Sequence, residues 1–175
     1  MRGQWIRLLG MKINQFMARA LTPMVLAVGC WLAFGGCIYD VPITEKPTRK
    51  VDPHFLGHWT SQDGKDKMTV SQYDDNHYVV AYDGDLYRAW SSDVAGTPFF
   101  SIQTLDTTGT GTNGQEKFVY QVWQLASDGT LHGRSVQDKI IPQDIKSSSA
   151  VRKLLEKNLK NLELLGDDGV FVKDK

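Results

Sequence analysis

Residues 67–91 read KMTVSQYDDNHYVVAYDGDLYRAWS. Three runs rich in Val, Tyr and Trp are separated by short polar breaks. Tyr78, Val80 and Tyr82 fall on one face of an extended chain, as a half-buried strand requires. Asp83-Gly84 joins two such runs. An Asp-Gly step between apolar runs is the strongest short signal for a hairpin, because the turn that matches strand twist needs positive φ. Asp74-Asp75-Asn76 offers a second turn, built from residues that bond their own backbone.

The same pattern extends in both directions. Strands are expected at 56–61, 67–73, 77–82, 86–91, 99–105, 117–125 and 131–137, filled by Val and aromatic residues. Asp63-Gly64 and Asp128-Gly129 are further hairpin steps. Strands about ten residues apart with sequential hairpins indicate an antiparallel meander. In 118–125 neither face is cleanly polar, which implies a strand covered on both sides. One helix follows, capped by Ser148 or Ser149, with Val151, Leu154, Leu155, Leu159, Leu162 and Leu165 along one stripe and Gly166 as its stop. A last short strand is expected over 169–173. The fold class is therefore mainly β: an antiparallel meander or small barrel of seven or eight strands, with one C-terminal amphipathic helix packed on it.

Leu56-Gly57-His58-Trp59 opens the first strand, and Gly-x-Trp resembles the opening of lipocalins. The resemblance implies that Trp59 packs at the closed end of a barrel with a late Arg across it, Arg134 being the candidate. It also implies a small apolar ligand. An aromatic-lined cavity would serve that role, and Tyr82, Trp90 and Phe100 are the expected lining residues.

The N-terminal part has a different composition. Arg2, Arg7, Lys12 and Arg19 are basic, no acid precedes Cys37, and residues 20–36 are apolar and uncharged. A positive region, an apolar region and small residues before a cut site make a secretory signal. Met1, Met11 and Met17 are alternative starts. Gly35-Gly36-Cys37 resembles the lipobox of bacterial lipoproteins, with Phe34 in place of that family's usual aliphatic residue; Ala27-Val28-Gly29-Cys30 is a rival. The resemblance implies cleavage after residue 36 and lipidation of Cys37. Ile38, in place of an Asp, implies the outer membrane, with the domain facing the periplasm. The chain then divides into a signal peptide (1–36), a lipidated cysteine with a Pro-rich tether (37–53) and a β domain (54–175).

After Cys37 the chain holds 20 acidic residues against 16 basic ones. Phosphate binding needs clustered positive charge, so nucleic acid is not an expected partner. Gly109–Gly114 matches G-x-G-x-x-G, but a strand follows it where a dinucleotide site needs a helix. His54 and His58 lack a third ligand at useful spacing. No G-x-S-x-G occurs, no cysteine nucleophile follows Cys37, and most acids sit in expected turns. No catalytic, cofactor or metal residue is assigned. The expected partners are a membrane through the lipid anchor, and either a small apolar ligand or a docked protein; a hydrolase is the third reading.

Overall fold

The computed structural model describes residues 37–105 and 116–175. The leader and the Gly109–Gly114 segment lie outside the described residues. Eight strands form a closed antiparallel barrel: β1 (Gly57–Ser61), β2 (Lys67–Gln72), β3 (His77–Tyr82), β4 (Asp85–Val94), β5 (Thr97–Leu105), β6 (Phe118–Leu125), β7 (Leu131–Val136) and β8 (Leu165–Lys173). Each strand pairs with its neighbour in sequence, and β8 closes on β1 through Trp59, Thr60 and Ser61. One helix, α1 (Ser148–Asn158), lies between β7 and β8. This is the architecture of a small lipocalin-like barrel with one helix. Closure satisfies the edge hydrogen-bonding groups that an open sheet would present.

Turn chemistry sets the register. Tyr82 pairs with Asp85, leaving Asp83 and Gly84 as a two-residue turn at φ +49° and +84°. The following pair of strands is longer than the sequence suggests. β4 runs on to Val94 and β5 starts at Thr97, because Ala95 and Gly96 form a second such turn at φ +48° and +88°. Asp93 Oδ1 accepts the Gly96 N–H at 2.9 Å. Alanine gives no hairpin signal, and an L side chain in this region costs roughly 1–2 kcal/mol. Ala95→Gly is therefore expected to raise stability by about 1 kcal/mol in urea denaturation; an unchanged midpoint would argue against strain here.

The helix is shorter than its leucine stripe implies. Ser147 caps it, its side chain accepting the Ala150 N–H, and the helix ends at Asn158. Leu162 then lies outside it and is 93% exposed, while Gly166 sits inside β8. Helical spacing continued past the true end because Leu164 and Leu165 pack on the barrel from a turn and a strand.

The described residues build two apolar layers. Inside the barrel lie Trp59, Met68, Val70, Tyr78, Val80, Tyr82, Ala89, Phe100, Ile102, Trp123, Leu131 and Phe171. A second layer covers the outside of β4, β5 and β6, where Trp90, Val94, Phe99, Phe118 and Tyr120 meet Val151 and Leu155 of α1. This is why 118–125 has two apolar faces. Among the described residues no buried side-chain nitrogen or oxygen lacks a hydrogen-bond partner, and no helix is long and apolar enough to cross a membrane.

Residues 38–53 read as a tether, but they form a strap across the barrel. Tyr39 and Ile43 are fully buried in the outer layer. Tyr39 exchanges backbone hydrogen bonds with Phe118 at 2.8 and 2.9 Å. Ile43 N–H donates to Ser101 Oγ at 3.0 Å, Asp93 N–H to Thr48 Oγ1 at 2.8 Å, and Val51 N–H to Asp75 O at 2.9 Å. The prolines restrict the segment without detaching it, since Tyr39, Val41 and Ile43 supply the apolar cover that the aromatic outer face needs. The strap ends in a 3-10 turn, Pro53–Phe55, capped by Asp52. Phe55 packs edge-on to Tyr78, Phe100 and Trp123. The folded unit thus begins before His54.

Gly57 opens β1 and Trp59 is buried in the interior layer, with Lys173 and not Arg134 over its ring. Lys173 Nζ lies 5.2 Å from the centre of the Trp59 ring. Arg134 is on the outer surface, donating from Nε to Gly166 O at 3.0 Å and from Nη2 to Leu165 O at 3.2 Å. Gly57 has φ +133°, and a Cβ there would stand 2.8 Å from Lys173 Cε. Gly57→Ala is expected to cost about 1–3 kcal/mol, read by thermal unfolding, because it combines strain with a displaced lysine.

Candidate anchoring and surface sites

The strap fixes the surroundings of Cys37. The residue is half-buried, packs on the outer apolar layer and is a free cysteine. Burial pushes its thiol up from the ordinary value, with Asp138 and Gln143 as hydrogen-bonding neighbours. Asp40, three residues on, is held between Lys117 Nζ at 2.6 Å and Lys146 Nζ at 2.9 Å. Hydrogen bonds from Lys117 and then Lys146 hold its carboxyl down at about 2. Tyr39 stacks on Tyr120, ring centres 4.0 Å apart and 8° from parallel, and its hydroxyl donates to Ile141 O at 3.2 Å. Desolvation raises both tyrosines above their ordinary value.

Asp40 makes the strap's clamp sensitive to acid. A folded-state pKa below the ordinary 3.8 means that the clamp stabilises the fold above about pH 4 and loses that contribution as pH falls toward 2. Wild type should therefore lose more stability than Asp40→Asn between pH 5 and about 2. Equal acid dependence of the two unfolding curves would remove the role assigned to this carboxyl.

The three residues expected to line a cavity do not come together. Tyr82 and Phe100 face the interior, Tyr82 against Phe171 with ring centres 6.4 Å apart. Trp90 belongs to the outer layer, edge-on to Phe118 at 5.7 Å, with its Nε1–H donated to Thr44 O at 3.2 Å. Position decides this: Ala89 and Ser91 take the inward side of β4, and Trp90 between them points out. The interior around Phe100 is filled by rings. Phe100 stacks on Trp123 at 4.4 Å, and Tyr78 meets both at 5.8 and 6.2 Å. Phe55 closes over the same cluster.

A polar constellation stands on the outer surface of β7 and β8. His132 Nδ1 is 2.5 Å from Asp168 Oδ2, and its Nε2 is 3.0 Å from Thr130 Oγ1. Thr130 Oγ1 in turn donates to Asp128 Oδ1 at 2.6 Å. Val122, Ala126, His132, Arg134, Leu165 and Asp168 line a shallow cleft of about 300 Å³ here. Alternation places Thr130, His132 and Arg134 on one face in sequence, but Asp168 reaches them only through the β7–β8 pairing. The other histidines make local contacts: His54 with Asp52 at 2.7 Å, His58 with Thr69 at 3.0 Å and His77 with Asp74 at 2.9 Å. Among the described residues no three His, Cys, Asp or Glu side chains converge as metal ligands.

No protein-family model matches the chain, and neither the curated proteins nor the solved structures include a significant match.

Proposed function

We propose that this chain is a lipid-anchored bacterial envelope protein, held through Cys37 at the outer membrane and facing the periplasm. Its barrel is a non-catalytic docking module and does not carry a ligand inside. The observation supporting this reading over a carrier is the aromatic packing of the interior, where Phe55, Tyr78, Phe100 and Trp123 occupy the space an apolar ligand would need. Docking by strand addition is disfavoured, because the barrel has closed its edges. The outer surface remains for a partner protein.

The anchor rests on the basic and apolar leader and on Gly35-Gly36-Cys37. Metabolic labelling with a fatty acid should mark the wild type and leave Cys37→Ser unlabelled; equal label in both overturns the anchor. Native mass spectrometry of protein extracted from envelopes should show the covalent acyl mass with no further lipid. A stoichiometric non-covalent lipid would restore the carrier reading.

The His132–Asp168 pair favours a second reading, a surface hydrolase. A carboxylate orienting an imidazole, with a hydroxyl at hydrogen-bond distance from its other nitrogen, is the arrangement that activates a nucleophile. Here the Thr130 hydroxyl, which donates to Asp128 Oδ1, would have to turn to His132 Nε2. Thr130 would then attack an ester carbonyl as His132 takes its proton. His132 would return that proton to the leaving alkoxide, and water would release the acyl group. Turnover of chromogenic esters by the wild type and its loss in His132→Ala would support it; no turnover leaves the docking reading in place.

A further inference from the structure

We propose that the barrel lies directly on the bilayer, with the surface around Cys37, formed by Ile38, Gln143 and the Lys117–Asp40–Lys146 cluster, against the lipid headgroups. The inference rests on lipidation of Cys37 and adds the orientation of the domain. One residue, Ile38, separates Cys37 from Tyr39, which is fully buried and paired to Phe118. The two backbone steps from one to the other span at most about 7 Å even when extended. The interfacial layer of one leaflet is itself roughly 5–8 Å thick. An acylated Cys37 must keep its chains in hydrocarbon, so the start of β6 is held at headgroup depth. A free tether of residues 38–53 would have lifted the domain clear, but the strap spends that length crossing the barrel.

The surface beside the anchor suits the position. Ile38 is 55% exposed in water and would lie next to the acyl chains. Lys117 and Lys146 clamp Asp40, while Asp138 and Asp144 stand near Cys37 and Lys146, so the placement rests on the short link to the anchor and on Ile38 and not on headgroup attraction. The far end of β6 points elsewhere. From Phe118 to Leu125 the strand covers about 23 Å at the usual rise per residue, and the Asp128 turn lies beyond it.

Nitroxide labels test the orientation. Gln143→Cys and Asp128→Cys are both exposed positions, and the introduced thiol is the only one once Cys37 is a thioether and Cys30 has left with the leader. The lipidated proteins are reconstituted into phosphatidylethanolamine/phosphatidylglycerol vesicles, and collision with a water-soluble nickel chelate is measured by electron paramagnetic resonance. The Gln143 label should be about threefold less accessible than the Asp128 label, and more accessible to oxygen. Equal nickel accessibility at both sites, in protein that floats with the vesicles and carries the acyl mass, overturns the orientation while leaving the anchor intact. Protein that neither floats nor carries the acyl mass overturns the anchor, and the orientation with it.

Discussion

Trp123→Ala is expected to lower the unfolding free energy by about 3–5 kcal/mol, the largest single loss inside the barrel. The indole stacks on Phe100 at 4.4 Å and 21°, and meets Tyr78 and Phe55 edge-on. Its Nε1–H donates to Gln121 Oε1 at 2.8 Å, and Gln121 Nε2 donates to Ser135 Oγ at 3.1 Å. Truncation therefore removes ring contacts on three sides and one acceptor's partner within a buried network, and leaves a cavity that the closed barrel cannot collapse. Tyr73→Ala, at a site 69% exposed, should change stability by less than about 0.5 kcal/mol. Equilibrium urea denaturation measures both. A loss under about 1 kcal/mol for Trp123→Ala would mean that the interior is not close-packed, and the argument against an internal ligand would fall with it.

Tyr39→Ala should cost about the same, roughly 3–5 kcal/mol, although Tyr39 lies outside the barrel in a segment that reads as a tether. The ring is fully buried between the barrel and the loop carrying Ile141, and stacks on Tyr120. Its hydroxyl bonds Ile141 O, while Tyr120 donates its own hydroxyl to Val41 O of the strap. Loss of the ring exposes Phe118 and Tyr120 together, so limited proteolysis should cut the variant between residues 38 and 51 before the barrel unfolds. A double-mutant cycle with Tyr120→Phe and Tyr39→Phe separates the hydroxyl bonds from ring burial. Wild-type stability in Tyr39→Ala would show that the strap is dispensable, and would return residues 38–53 to the role of a spacer.

Much of the fold was legible because turn chemistry is local. Asp83-Gly84 announces its hairpin through two residues that accept positive φ, and the alternation in 77–82 follows from the two-residue period of a strand. Ala95-Gly96 was not legible, because its geometry is imposed by the long β4–β5 pairing and the Asp93 cap against alanine's preference. The helix end was overrun for a related reason: Leu162, Leu164 and Leu165 keep a helical spacing in composition while belonging to a turn and a strand.

The candidate sites divide along the same line. Cys37 stands at a charge and hydropathy boundary in the sequence, with Cys30 as its rival. The partnership of His132 and Asp168 is invisible in sequence, since they stand 36 positions apart with a whole helix between them. Lys173 over Trp59 is likewise a product of β8 closing on β1, and nothing local favours it over Arg134.

By itself the sequence determined an antiparallel β meander with one amphipathic helix and the places of most turns. These follow from residue preferences that act over two to four neighbours. The tertiary structure alone decided that the meander closes, that residues 38–53 strap its outside, and that Trp90 faces out while Tyr82 and Phe100 face in. Alternation tells that two faces differ, but where both are aromatic only the curvature of the closed sheet, and the cover available on each side, decides which becomes the interior.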